Sequence, residues 1–297
     1  MSSTTILNAK TQEKGELDKL LRRQAMDVFM VVLSTALTVM AVSILFTIFG
    51  HIMINGIGSL NWEFFTQIPK PYGETGGGIA QAILGTLVML ALAGLVAIPI
   101  GVGTAIYLVE FGRGRFASTV RFCLELLAEL PSIVVGVFIW AVLVRTVTGY
   151  SGIAGSAALV VIMIPIIAKS VEEILHLVPD SLRESALALG TPKWRVVSKV
   201  VIPTVLPGIL TGIVLAMARA AGETAPLLLT ALGNSFFNLD LDKPMAAIPL
   251  QIYNYAIAPY DDWHQKAWGA TFILIAVVAV LSAAVRYYTR SKKFETR

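Results

Sequence analysis

Apolar residues in this chain do not alternate with polar ones at a strand or amphipathic-helix period; they come in long uninterrupted blocks. Six blocks reach the length of about 20 residues that a helix needs to cross the hydrocarbon core of a bilayer. They cover residues 28–49, 79–109, 122–144, 152–175, 205–232 and 268–285. The second and fifth are longer than a span requires, enough to tilt or to include an interfacial turn. Pro99 and Pro165 fall inside blocks. Neighbouring helices in lipid can satisfy the backbone groups a proline frees, so kinks are expected there rather than breaks. The pattern predicts an all-α integral membrane protein with six transmembrane helices.

Composition agrees. The chain is 56% hydrophobic and 14% charged, whereas a soluble domain carries about a quarter charged residues. Its 297 residues would make about two soluble domains, but here they make one bundle. The first block follows a polar segment, exceeds the length of a signal-peptide h-region and precedes no small-residue cleavage site, so it is expected to stay as an anchor. The expected layout is a cytoplasmic N-terminal segment at 1–25, a six-helix transmembrane bundle at 26–290 and a cytoplasmic tail at 291–297. Residues 17–23 read either as a short amphipathic helix on the membrane surface or as a plain charged flank. Cys123 is the sole cysteine; it excludes an internal disulfide and a multi-cysteine metal site and reads as a small buried residue at a helix end. His51, His176 and His264 are too scattered to build a metal site on.

The net charge of +4 gains meaning from its distribution. With six crossings, eighteen of the lysines and arginines fall on one side, and only Lys70, Arg145, Lys243 and Lys266 on the other; Arg219 lies inside a span. The positive-inside rule then puts both termini in the cytoplasm. Residues 50–78, ending in a glycine run (Gly76, Gly77, Gly78) that reads as flexible, and residues 233–266 are expected outside.

The cytoplasmic loop 177–203 carries the clearest pattern. Asp180 or Ser181 can cap a helix, Glu184 follows Ser181 at capping-box spacing, and Gly190 can end it. Leu182, Ala186 and Leu189 share a face. A second short helix can start with Pro192 at its first position. Two short helices too polar to cross the bilayer are predicted. Glu184, Ser185 and Ala186, then Gly190 after three residues, then Val200, Ile202 and Pro203 after nine more, resemble the E-A-A, x3, G, x9, I-x-L-P loop of bacterial ABC importer permeases. The resemblance implies the type I importer (MetI-like) fold and a coupling helix that docks on an ATPase, with Ser181, Glu184, Ser185, Ala186, Leu189, Gly190, Thr191 and Trp194 at the contact.

No G-x-x-x-x-G-K-[ST] sequence occurs, so the chain lacks the lysine-bearing phosphate cradle of a P-loop ATPase. No catalytic residue and no cofactor are expected in this chain. ATP and its Mg would be bound by a partner subunit.

The fifth block holds Arg219 and Glu223 within Ala218-Arg219-Ala220-Ala221-Gly222-Glu223-Thr224-Ala225-Pro226. Charges at such depth cost about 2.5–3.5 kcal/mol each on insertion scales. Four residues apart on one helix, they could pair with each other. Alternatively, Arg219 offers a forked donor to a tetrahedral oxyanion. The run resembles the R-x-x-G-E-T-A-P signature of phosphate permeases in the ABC importer family. Glu129-Leu130-Pro131-Ser132-Ile133-Val134-Val135-Gly136 and Leu189-Gly190-Thr191-Pro192-Lys193-Trp194 agree with it. The match is better to the PstA-type than to the PstC-type permease. It implies phosphate import across the bacterial inner membrane, with Arg219, Glu223, Thr224 and Ser132 on the translocation path. It also implies a PstC-type second permease, two PstB-type ATPases and a periplasmic or lipid-anchored PstS-type binding protein.

Pro131 and Ser132 could break the third helix and expose backbone donors to that path. Glu125, Glu129 and a Lys169–Glu173 pair read as structural. The competing readings are a permease for sulfate or molybdate, an ion-gradient-driven carrier, for which the halves show no inverted similarity, and a phosphate-status sensor within the complex.

Overall fold

The computed structural model describes residues 3–71, 74 and 76–292, and among them the chain forms helices and no strand. One unit, Met1–Ile54, consists of most of helix α1 (Ser3–Ile57), whose stretch Arg22–Ile57 is long and apolar enough to cross a membrane. Residues 17–23 are helical and run without a break into that stretch. Tail residues 293–297 lie outside the described part.

The second unit holds α2 (Trp62–Thr66), α3 (Ala80–Ile106), α4 (Gly114–Glu129), α5 (Ser132–Ile139), α6 (Gly152–His176), α7 (Asp180–Ala188) and α8 (Lys193–Val196). It continues with α9 (Ile202–Ala221), α10 (Ala225–Thr230), α11 (Ile248–Ile257) and α12 (Asp261–Lys292). Three helices run on into wider π-type turns: α3 at Tyr107–Phe111, α5 at Trp140–Thr148 and α8 at Val197–Val201.

Four blocks became single helices as expected, and α3 and α6 continue through Pro99 and Pro165. The other two differ. The third, read as one span over 122–144 that Pro131 and Ser132 could break, does break there, into the pair α4 and α5 bent by 103°. Leu130 takes an extended conformation with ψ 134°, because the ring of a following proline disfavours the helical one. The fifth, expected over 205–232, begins already at Lys193 and stops at Ala221; Gly222, Glu223 and Thr224 separate it from α10.

Helix α6 is the axis of the unit. Its Leu159, Met163, Ile167, Val171 and Leu175 are buried against Met89, Ala93, Ala97 and Ala105 of α3 and against Ile209 and Ala216 of α9. Without a hydrophobic drive between helices in lipid, close packing of small residues holds them together. Gly101 lies against Ile167, Gly155 against Met89, and Gly208 and Gly212 against Ile174 and Ser170. Ser151 caps α6 by accepting from the Ala154 amide at 3.2 Å.

A smaller core at the end away from α7 unites Phe64, Ile79, Ile248, Tyr255 and Trp263. It corrects the expectation of a flexible glycine run. Gly78 is buried, and a Cβ there would collide with the Phe64 carbonyl. Tyr255 donates its hydroxyl to Gly78 O at 3.0 Å, and Lys266, itself buried, donates to Gly76 O at 2.6 Å. Burial pushes the Tyr255 phenol well above its ordinary range. The turn is anchored from α11 and α12. Cys123 also departs from expectation: it is exposed, within α4. Lys169 and Glu173 do not pair. The neighbouring Glu172 instead takes Arg121 of α4 at 2.7 Å.

Candidate functional site

The two broken helices meet at their breaks. Helix α5 packs on α10 through Gly136, where a Cβ would stand 2.7 Å from Pro226 Cα. Both helices start on proline chemistry: Pro131 precedes α5, and Pro226 is in the first turn of α10. No side chain caps either N-terminus; the Val134 amide donates to the Pro131 carbonyl at 2.9 Å, which leaves the Ser132 and Ile133 amides at the start of α5 as donors.

Arg219 lies in the last turn of α9, where helix carbonyls favour a cation; Glu223 stands just ahead of α10, whose amides favour an anion. The break therefore stabilises both charges by helix ends as well as by each other. Arg219, Glu223, Ser132, Leu127 and Ile162 line one narrow cleft. Its free space is about 20 Å³, room for about one water molecule and too small for a tetrahedral oxyanion. Thr224, expected beside them, takes the N-cap position of α10 without a capping hydrogen bond and does not line the cleft.

The expected arginine–glutamate pair is loose. Nε of Arg219 is 3.9 Å from Oε1 of Glu223, beyond hydrogen-bond distance. The Arg219 side chain is 59% exposed against 15% for Glu223, which corrects the picture of two deeply buried charges on one continuous helix. Among the described residues Arg219 makes no hydrogen bond, so its fork of donors is unspent.

Gly136→Val will wedge α5 away from α10, an overpacking that costs about 1–3 kcal/mol. The purified protein is expected to unfold at a lower temperature than wild type, while Gly103→Ala, whose Cβ meets nothing within 4 Å, leaves the unfolding temperature unchanged.

At the other expected site, the loop folds as the predicted two short helices, α7 and α8. Capping differs: Pro179 holds the N-cap position of α7 and Pro192 that of α8, and neither Asp180 nor Ser181 caps. Helix α7 buries no residue. Ser181, Glu184, Ser185, Gly190, Leu189 (86%) and Trp194 (60%) are exposed, while Ala186 and Thr191 are half-buried. Gly190 has φ +77°, the left-handed conformation that ends a helix cheaply only at glycine. The shared face expected for Leu182, Ala186 and Leu189 does not pack as one. Ala186 touches the core and Leu189 points away from it.

Sequence reasoning missed the groups that hold this knob. Arg183 pairs with Glu110 at the end of α3 and with Asp180, each at 3.0 Å, and donates to the Val178 and Leu175 carbonyls at 2.6 and 2.8 Å. Lys193 donates to the Glu110 carbonyl and sits over the Phe111 ring. The one available signal was Glu110 itself, a carboxylate at the end of an apolar block.

The profile of the binding-protein-dependent transport system inner membrane component family matches residues 97–293. The phosphate transport system permease protein PstA of Yersinia pestis is 38% identical over 265 residues, covering 87% of this chain and 90% of that protein. PstA 1 of Mycobacterium tuberculosis (strain CDC 1551 / Oshkosh) is 42% identical over 211 residues, 70% of this chain and 69% of that one. Among solved structures, an inward-facing MetNI methionine ABC transporter matches with a TM-score of 0.60 at 20% identity, over 72% of this chain and 95% of that chain. A bacterial alginate ABC transporter matches with a TM-score of 0.61 at 13% identity, over 83% and 88%. These two similarities concern the fold.

Proposed function

The chain belongs to the family of binding-protein-dependent transport system inner membrane components, and we propose that it moves inorganic phosphate through the helix breaks at Arg219 and Ser132. It is a permease subunit of a phosphate ABC importer in the inner membrane, a transport subunit rather than an enzyme. The observation that carries the reading is the unspent guanidinium of Arg219 beside Glu223, Ser132 and the uncapped start of α5. Phosphate needs such convergent donors once it leaves water.

An arginine facing lipid would cost about 2.5–3.5 kcal/mol, so the 59% exposure of its side chain points to a water-filled path shared with a second, non-identical permease of the PstC type. Two PstB-type ATPases, which bind the ATP and Mg, dock on the exposed tips of α7 and α8 and of their counterparts in the second permease. A PstS-type binding protein delivers phosphate at the other end, where a cleft of about 870 Å³ lies between residues 68–71, 232–236 and α11. ATP binding draws the two coupling loops together and opens the path outward; hydrolysis returns it. The narrow cleft fits a state in which the path is shut around Arg219. Thr224 serves the path as the hinge residue that starts α10.

The test is ATP-dependent uptake of radiolabelled phosphate into vesicles bearing the assembled complex, with sulfate in parallel. Phosphate alone is expected to accumulate. Equal sulfate uptake would sink the phosphate reading and leave a general oxyanion permease.

Docking has its own test. Removing a large apolar anchor from an interface centre costs about 2 kcal/mol or more, about 30-fold in affinity. Trp194→Ala and Leu189→Asp should therefore each reduce the ATPase that co-purifies with this chain. Undiminished co-purification would remove α7 and α8 from the contact.

A further inference from the structure

Helix α7 is joined to the bundle by polar contacts rather than by apolar burial, whereas α8 buries Val196 in the main core. Helix α7 buries no side chain, and only Ala186 rests against the core. Glu110 supplies the attachment. Its carboxylate, 5% exposed, takes Nε of Arg183 on α7 at 3.0 Å, and its backbone carbonyl takes the Lys193 ammonium at the start of α8. The remaining guanidinium nitrogens of Arg183 reach the carbonyls of Leu175 and Val178 at the end of α6. The Glu110 carboxylate and Arg183 thus bind α7 to the ends of α3 and α6, while Lys193 ties α8 to the backbone of the same residue.

The Arg183 side chain is 16% exposed, so it is turned inward, away from the tips that carry Leu189 and Trp194. The two π-type turns, Tyr107–Phe111 and Val197–Val201, lie at the same junction, and wide turns of this kind concentrate where a helix has a functional job. A planar fork on several fixed acceptors resists rotation, which a single point charge does not.

We infer that Glu110 and Arg183 form a positioning pair that makes α7 move as one body with α3 and α6. The pair transmits the ATPase stroke to the helices around the path and takes no part in gripping the ATPase. This inference rests on the reading of α7 and α8 as the ATPase-docking element. It separates two properties that a docking residue would lose together: the pair's removal loosens the link and leaves the grip.

The experiment measures ATP hydrolysed per phosphate imported, using the complete complex with its binding protein in proteoliposomes. Wild type is compared with the near-isosteric Glu110→Gln and with Arg183→Lys, which keeps charge without the fork. For both variants, ATPase co-purification and hydrolysis are expected to stay within about twofold. Uptake is expected to fall at least about tenfold, so that ATP used per phosphate rises by the same factor. Hydrolysis and uptake falling in proportion would overturn the inference, as would unchanged uptake. So would failure of the mild Glu110→Gln variant to assemble, since the pair would then be a structural bridge only. Trp194→Ala, run alongside, keeps the underlying reading distinguishable. If it retains the ATPase, the docking reading fails; if it loses the ATPase while Glu110→Gln stays coupled, only the positioning pair fails.

Discussion

Arg219→Lys will lower phosphate uptake by about 10- to 100-fold while the complex still assembles. The substitution keeps a positive charge in the last turn of α9, where the helix carbonyls stabilise it. It removes the planar fork that can hold two oxygens of one tetrahedral anion. A hydrogen bond to a charged group contributes about 1.5–3 kcal/mol, which is about one to two powers of ten in rate when the bond forms at the barrier. Neutralising Glu223 is a task that lysine does equally well. If Arg219 served only that purpose, uptake by the lysine variant would equal wild type. The 3.9 Å separation and the 59% exposure of Arg219 argue against that purpose. Arg219→Gln, which loses the charge too, should fall further. Initial rates of radiolabelled phosphate uptake, normalised to co-purified ATPase, decide the matter; a lysine variant at wild-type rate would leave the permease standing and remove Arg219 from the path.

The spans were legible because crossing a bilayer demands run length, and run length is a local property of sequence. The two short helices of the loop 177–203 were legible for a related reason: their signal is a spacing within twenty residues, Glu184 to Pro203. The breaks were harder. Hydropathy treats 205–232 as continuous, since Gly222 and Thr224 interrupt the helix without interrupting the apolar run by more than Glu223. Proline alone is no guide either: α3 and α6 pass through theirs and the 122–144 block does not. What distinguishes Pro131 is the change of character around it. The residues before it form an amphipathic helix with Arg115, Arg121, Glu125 and Glu129, and those after it are apolar.

Long-range polar links were illegible. Nothing local ties Glu110 to Arg183, or Lys266 to Gly76, across the intervening chain. Gly76, Gly77 and Gly78 read as flexible for the same reason, because the groups that hold them come from α11 and α12.

Glu223→Gln will narrow the discrimination between phosphate and sulfate. Phosphate near neutral pH keeps a proton that it can donate to a carboxylate, whereas sulfate is fully deprotonated and meets the same carboxylate as a like charge. A site that pairs an arginine with a carboxylate therefore attracts both anions through Arg219 and rejects the one with no proton to give. Sites built around such a hydrogen bond reject analogues lacking it by as much as about 10⁴-fold. Glutamine keeps an acceptor oxygen and removes the repulsion, so sulfate entry should rise at least about tenfold relative to phosphate. Phosphate uptake itself should drop by a smaller factor, since a charge-assisted bond becomes a neutral one. The geometry supports a carboxylate that stays in place: Glu223 is 15% exposed, stands just ahead of α10 and lines the same cleft as Ser132. Parallel uptake of labelled phosphate and labelled sulfate by wild type and variant reads the ratio directly. A variant that takes up phosphate at the wild-type rate and still excludes sulfate would mean that Glu223 only steadies Arg219, and that selectivity is set before the anion reaches the break between α9 and α10.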